Sequence, residues 1–250
     1  MESGDSFVLQ VRGLRFRVTS ANPAVLHAVR FDFAAFQRDA SDSVPPDLAI
    51  TARVGEPPAW GRSLRIGSSR LYWPRGGEQR VALSERSWIA YQFTRGLAAV
   101  YGTDAEAAYE ACHVTILSYC GERADRDGAH RIHALGIRYG GEACCLLAPS
   151  GGGKSTLAAA LLQNPAVTLY SDDTPWTEPG GKLSAFALRI ALKEKPHGLA
   201  CREFRRAHYP PKWVIAGLAL RDRTAEPAPI RRIYRLYQRP FAGKIVRVAR

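Results

Sequence analysis

The sequence predicts an α/β fold on three observations. Ala148-Pro-Ser-Gly-Gly-Gly-Lys-Ser-Thr matches the phosphate-binding loop G-x-x-x-x-G-K-[ST] at every defined position but the first, where Ala148 stands for Gly. An apolar strand pattern, Glu142–Ala148, precedes this loop, and a helical pattern from about Gly153 to Gln163 follows it. A further short apolar run, Val167–Ser171, ends on Asp172-Asp173, as a strand that returns acids to a phosphate site would. The expected organisation is an N-terminal α+β extension or lobe over residues 1–125. A P-loop catalytic region with a basic C-terminal segment follows over 126–250.

Taken in order, Phe7–Thr19 partly alternates apolar and polar residues and predicts two short strands around Gly13. Asp47–Val54 and Ser63–Trp73 predict further strands separated by the Pro/Gly loop Gly55–Gly61, and Trp73-Pro-Arg-Gly-Gly predicts a turn. Ser87–Tyr101 and Asp104–Leu117 carry apolar residues at helical spacing, with Gly102 as the break. The charged stretch Gly121–Ala129 predicts a loop. Ile132–Tyr139 and Glu142–Ala148 predict a strand pair turning at Gly140-Gly141. The helix after the P-loop should stop at Asn164-Pro165, because the residue before proline is pushed out of helical geometry. Pro179-Gly-Gly predicts one more turn.

The balance of 46% apolar and 23% charged residues in 250 is that of a globular chain with a real core. The formal charge of +12 is unevenly spread: residues 202–250 hold 13 Lys/Arg against 3 Asp/Glu, and the rest is close to neutral. That segment, with Arg205-Arg206, Arg231-Arg232 and Tyr209, Trp213, Tyr234 and Tyr237, fits docking of an acidic peptide or a solvated face better than nucleic acid, which is an unlikely partner. The five cysteines form no C-x-x-C pair, and an odd count argues against a disulfide framework. Free thiols predict a reducing, cytoplasmic setting. The N-terminus lacks a basic region followed by an apolar run, and the longest apolar stretches fall short of the roughly 20 residues a membrane span needs, so no membrane association is expected.

The chemistry asked of each P-loop residue is direct. Ser150, Gly151, Gly152 and Gly153 bring backbone N–H groups against phosphate oxygens, with the glycines turning through positive φ. The helix beginning at Lys154, Ser155 and Thr156 adds partial positive charge at the same place. Lys154 neutralises the β- and γ-phosphates, and Ser155 offers a hydroxyl to Mg²⁺. ATP and Mg²⁺ are therefore the expected cofactors. Asp172 and Asp173 can divide metal support from proton abstraction; a turn-forming Asp pair is the plain alternative. His133, read alone, is more often a surface or capping residue than a catalytic one. Cys144 and Cys145, adjacent on a strand, should face opposite ways as small buried hydrophobes.

The order His133, a strand ending in Tyr139-Gly140, a second strand, P-loop, helix, short strand and Ser171-Asp172-Asp173 resembles the catalytic domain of the HPr kinase/phosphorylase family. Ala185-Phe-Ala-Leu-Arg-Ile-Ala-Leu-Lys-Glu-Lys is similar to a stretch of the smaller HprK-related kinases, with a proline missing. The resemblance covers Ile132–Lys195 and implies a P-loop kinase domain of HPr kinase type that phosphorylates a serine. It implies Asp172 as general base, Asp173 with Ser155 as Mg²⁺ support, and His133 near the γ-phosphate. Arg189 and Lys193 become candidates for phosphate contact. Two departures matter: no Arg-Gly-rich segment like the HPr-binding loop is present, and the residues ahead of the P-loop are not expected to form the full N-terminal domain of the bifunctional enzymes. HPr is then an unlikely substrate. The chain is closer to the HprK-related kinases of ribosomally made peptide pathways, the lasso-peptide type, which act on a Ser of a precursor peptide. The family's hexamers imply a homo-oligomer as a partner state.

The competing expectations are a regulatory P-loop ATPase and a small-molecule kinase, with a nucleic-acid-binding module behind them. An ABC ATPase would carry an L-S-G-G-Q-like signature and a GTPase N-K-x-D; neither occurs.

Overall fold

The structure is a computed structural model that describes residues 5–38, 44–186, 188–196, 201–206 and 209–236. In chain order its elements are β1 (Asp5–Val11), β2 (Leu14–Ser20), α1 (Pro23–Asp32), β3 (Gln37–Arg38), β4 (Leu48–Val54), β5 (Ser63–Ile66), β6 (Ser69–Arg75), β7 (Glu78–Ala82), β8 (Ser87–Gln92), β9 (Leu97–Gly102), α2 (Ala105–Arg126), β10 (His130–Arg131), β11 (Ala134–Tyr139) and β12 (Glu142–Leu147). There follow α3 (Lys154–Leu161), β13 (Thr168–Ser171), β14 (Trp176–Glu178), β15 (Lys182–Ser184), β16 (Arg189–Leu192), β17 (Cys201–Arg206), β18 (Tyr209–Ala216) and β19 (Ala228–Arg235). This is a mixed α/β chain with large mixed sheets and few helices.

The chain divides into two compact units, Met1–His130 with Ala187–Asp222, and Arg131–Phe186 with Arg223–Arg250. Residues 187–222 of the first unit are thus separated in sequence from its residues 1–130 by the first segment of the second.

In the first unit a nine-stranded sheet runs β3-β1-β2-β4-β9-β8-β7-β6-β5. The β1–β2 hairpin turns at Arg12 and Gly13, both at positive φ. β2, β4 and β9 are parallel, and from β9 to β5 the sheet is an antiparallel meander. Phe16, Val18, Leu48, Ile50 and Val100 are buried in alternation along these strands, with Tyr109 and Ile116 of α2. α1 starts at Asn22, whose side chain accepts from the Ala24 amide, with Pro23 at the first turn; α2 starts at Asp104, which accepts from Ala107.

Three expectations fail here. Ser87–Tyr101 is not a helix but the β8–β9 hairpin, closed by a 3₁₀ turn and Gly96 in the left-handed region. Its Trp88, Ile89, Tyr91, Val100 and Tyr101 are residues that pack well on a pleated surface, and pairing on both sides outweighs a spurious helical spacing. Most of Gly121–Ala129 continues α2, because Cys120, Gly121 and Ala124 keep the buried face going to its end. Ser63–Trp73, expected as one strand, breaks at Gly67 into the β5–β6 hairpin.

The three-stranded sheet β16-β18-β17 is tied to α1 and α2 of the same unit by buried charges. Asp32 is fully buried; Arg189 donates to it at 2.5 Å, Tyr109 donates to it as well, and Arg202 lies 3.7 Å from it and reaches Glu106 at 3.3 Å. Burial pushes the Tyr109 hydroxyl far above its ordinary range, against the pull of the two arginines. Removing one partner of such a set leaves a buried charge under-compensated, here with Arg202 at 3.7 Å as the remaining cation, which costs up to about 3–5 kcal/mol. Arg189→Met should therefore lower the free energy of unfolding by about that much in urea denaturation. The KM for ATP of the folded fraction should stay unchanged. Intact stability with a raised KM would instead return Arg189 to the phosphate-contact role.

In the second unit the sheet order is β10-β14-β15-β19-β12-β11-β13. β11 and β12 form the expected hairpin, with Tyr139 opposite Glu142 and Gly140-Gly141 at positive φ. β19 pairs parallel with β12 on its other side. Ala143, Cys145, Tyr170 and Leu183 form the core on one face.

Candidate active site

The glycine loop of residues 148–153 leaves the end of β12 and enters α3. Gly151 and Gly153 have φ of 76° and 87°, the left-handed conformation that glycine adopts without strain. Gly152 does not: it is required for space, because an added Cβ would lie 2.8 Å from the Ala148 Cβ and 2.9 Å from the Pro149 carbonyl oxygen. This corrects the expectation that all three glycines turn through positive φ. It also gives Ala148 a role, since its methyl packs on the loop that it opens. Gly152→Ala should displace the loop, weaken ATP-analogue binding at least tenfold and leave the thermal midpoint of the first unit unmoved. Unchanged nucleotide affinity would mean that this loop conformation is not the binding one.

Lys154 is buried, 5% exposed, and its ammonium is folded onto the loop. It donates to the Ala148 carbonyl at 2.8 Å and to Pro149 at 3.3 Å, and it lies 2.8 Å from His133 Nε2. Gly153 caps α3 with no side-chain hydrogen bond, so the first-turn amides are not taken up by a cap. Ser150 and Thr156 are exposed at the rim of the loop and Ser155 is half-buried.

The two carboxylates are set by a local turn. The Ser171 hydroxyl at the end of β13 accepts from the Asp173 amide at 3.4 Å and the Thr174 amide at 3.1 Å. Ser ahead of Asp-Asp is the turn-forming signal in the sequence that matches this geometry. Asp172 is buried and accepts from the Ser155 hydroxyl at 2.7 Å. Asp173 is half-exposed, 3.4 Å from His133 Nδ1 and 3.8 Å from Lys154 Nζ. His133 reaches them because the Ala134 amide donates to the Asp173 carbonyl at 3.1 Å, which clamps the start of β11 to the Asp-Asp turn. β11 lies between β13 and β12, the strand that leads into the glycine loop, and pairs with both.

His133, Lys154, Ser155, Asp172 and Asp173 thus form one hydrogen-bonded and ion-paired set. Arg189 and Lys193 are not in it: both belong to the first unit, Arg189 on Asp32 and Tyr109, Lys193 exposed after β16. Residues 237–250, with Tyr237 and the end of the basic segment, lie outside the described residues. Within the described part, Arg202, Arg223 and Arg232 serve internal contacts, to Glu106, to the Asn164 and Val167 carbonyls, and to Glu142.

An oxygen-only pair, the Ser155 hydroxyl with a carboxylate beside it, suits Mg²⁺, which is usually held by one or two protein groups together with substrate phosphates. Among the described residues no cluster of three or more His, Cys, Asp or Glu could hold a metal unaided. Cys144 and Cys145 are both buried, and burial raises both thiols, Cys145 to about 11, so neither is a thiolate nucleophile. A largely apolar cavity of about 580 Å³ lies between α3 and the sheet, lined by Ile137, Cys144, Leu146, Leu157 and Leu161; none of the charged set lines it. No described helix is long and apolar enough to cross a membrane. The chain matches no family model and no curated protein.

Proposed function

We propose that the protein is an ATP-dependent serine kinase with a P-loop kinase domain of HPr kinase type, acting on a peptide or protein in the cytoplasm. The single observation that carries this reading is the convergence of His133, Lys154 and Asp173 on one side and Ser155 with Asp172 on the other, at a glycine loop opening a helix. A glycine turn that binds nothing has no reason to bury a lysine against its own carbonyls beside two acids.

The chemistry follows from the side chains. The loop amides and the first turn of α3 receive the β- and γ-phosphates, and Lys154 exchanges its loop carbonyls for phosphate oxygens. Mg²⁺, held by Ser155, a carboxylate and the phosphates, would neutralise charge on the transferring group. Asp172 accepts the proton of the acceptor hydroxyl as its oxygen bonds to the γ-phosphorus. The bond from that phosphorus to the bridging oxygen breaks and ADP leaves. Positioning and electrostatics dominate such a transfer. His133, within reach of both Lys154 and Asp173, orients them.

One observation favours a second division of labour: Ser155 donates to Asp172 and not to Asp173. In that version Asp172 supports Mg²⁺ and the half-exposed Asp173, facing incoming substrate, is the base.

The test is purified protein with Mg²⁺ and γ-labelled ATP, with and without a Ser-containing precursor peptide encoded nearby. Label on the peptide supports the kinase. ATP hydrolysis or binding with no labelled peptide would overturn it in favour of a regulatory ATPase, and label on a metabolite alone in favour of a small-molecule kinase.

A further inference from the structure

The far edge of the nine-stranded sheet is the β5–β6 hairpin, and its two faces differ sharply. Leu64 is paired with Leu71, and by strand alternation Ile66 and Trp73 share their face. These four are 56%, 41%, 53% and 62% exposed. On the opposite face Arg65 stands directly across from Arg70. Like charges directly opposite destabilise a strand pair unless an anion meets them. Residues 57–77 contain four arginines, Arg62, Arg65, Arg70 and Arg75, and no Asp or Glu. None of the four has an ion pair among the described residues, whereas neighbouring Arg80 has Glu78 at 2.6 Å. Arg65 and Arg70 border a cavity of about 240 Å³ with Tyr72, Trp88 and Glu85.

β5 is also the last strand, so one of its sides is unpaired within the sheet. The Arg62 carbonyl accepts from the Trp73 amide, and in an antiparallel pair alternate residues face the partner. Ser63 and Arg65 therefore turn their main-chain groups outward. Such an edge invites another strand, and arginine on it discourages only a partner that is not acidic. A strand added there would place every second side chain beside Arg65, with Arg70 on the same face one strand further in, and the intervening ones beside Leu64 and Ile66.

We propose that the β5 edge binds an extended peptide segment in which acidic and apolar residues alternate, by strand addition. That this segment belongs to the phosphoacceptor substrate rests on the kinase reading; the binding itself does not. Nucleic acid is the poorer fit, because the apolar face offers aliphatic Leu64, Ile66 and Leu71 with a single aromatic, Trp73, where base stacking needs aromatic platforms.

The test is fluorescence anisotropy on the full chain with a fluorescein-labelled (Glu-Val)4 peptide flanked by Gly-Ser. Three probes accompany it: (Lys-Val)4, a (Glu-Val)4 variant with alternate residues replaced by proline, and a labelled 12-mer of deoxythymidine. The expected result is saturable binding of (Glu-Val)4 alone, weakened at least tenfold by the lysine or proline change and by raised salt. The double variant Arg65→Glu/Arg70→Glu should lose at least tenfold while keeping its melting temperature and ATP-analogue affinity. Lys154→Ala should bind the peptide like the parent, which separates failure of this inference from failure of the kinase reading. Equal binding of the lysine or proline peptide, tighter binding of the oligonucleotide, or full affinity in the double variant would each overturn it.

Discussion

Lys154→Ala protein, given Mg²⁺, γ-labelled ATP and an acceptor peptide, is expected to transfer no measurable phosphate. The reason is where the ammonium sits. It is 5% exposed and held by the Ala148 and Pro149 carbonyls and by His133, within 3.8 Å of Asp173. Bound phosphates would replace those carbonyls as acceptors with oxygens that carry full charge. Hydrogen bonds to charged groups contribute about 1.5–3 kcal/mol, so the affinity for ATP should fall roughly 10- to 150-fold. Transfer should fall further, by about 10²–10³-fold beyond the binding loss, since charge grows on the transferring group in the transition state. Truncation also empties a buried position, so Lys154→Met, which keeps most of the volume, is the control. If Lys154→Met melts like the parent and still transfers phosphate, Lys154 is a structural clamp of its own loop and the proposed chemistry is wrong.

The candidate site is legible in the sequence because nearly all of it is local. The P-loop, its flanking strand and helix and the Tyr139–Glu142 hairpin occupy consecutive residues, and each is specified by glycines and apolar periodicity within a few positions. The clamp that sets His133 against Asp173 joins positions about forty residues apart, across three predicted strands and a helix, and no single local pattern specifies it. What escaped was long-range. No local pattern announces that Asp32 will be matched by Arg189, 157 residues away, and that bond is part of what draws residues 187–222 into the first unit. β19 takes its place beside β12 from the far end of the chain for the same reason. The error at Ser87–Tyr101 is of another kind. Alanines and aromatics there satisfy helical spacing by accident, and only the neighbours β7 and β4 decide for strand. α1 was overlooked although Asn22-Pro23 is a regular helix start, because the run behind it is only ten residues.

The two carboxylates should separate cleanly when each is made neutral without change of shape. Asp172→Asn and Asp173→Asn are both expected to fold, since an amide can still accept from the Ser155 hydroxyl, and Asp173 is half-exposed. The variant that removes the general base should lose about 10²–10⁴-fold in transfer at saturating Mg²⁺ and ATP. Its Mg²⁺ dependence and nucleotide affinity should be those of the parent. The variant that removes metal support should shift the Mg²⁺ requirement upward and recover much of its rate at high Mg²⁺. With Asp172 as base, the first pattern belongs to Asp172→Asn and the second to Asp173→Asn. The 2.7 Å contact between Ser155 and Asp172 argues for the reverse, because the P-loop hydroxyl is itself the expected Mg²⁺ contact and draws its nearest acid to the metal side. Mg²⁺ titration of both variants decides between these two assignments. Full transfer in both would remove the pair from the mechanism altogether, leaving Ser171-Asp172-Asp173 as a turn that happens to close on a P-loop.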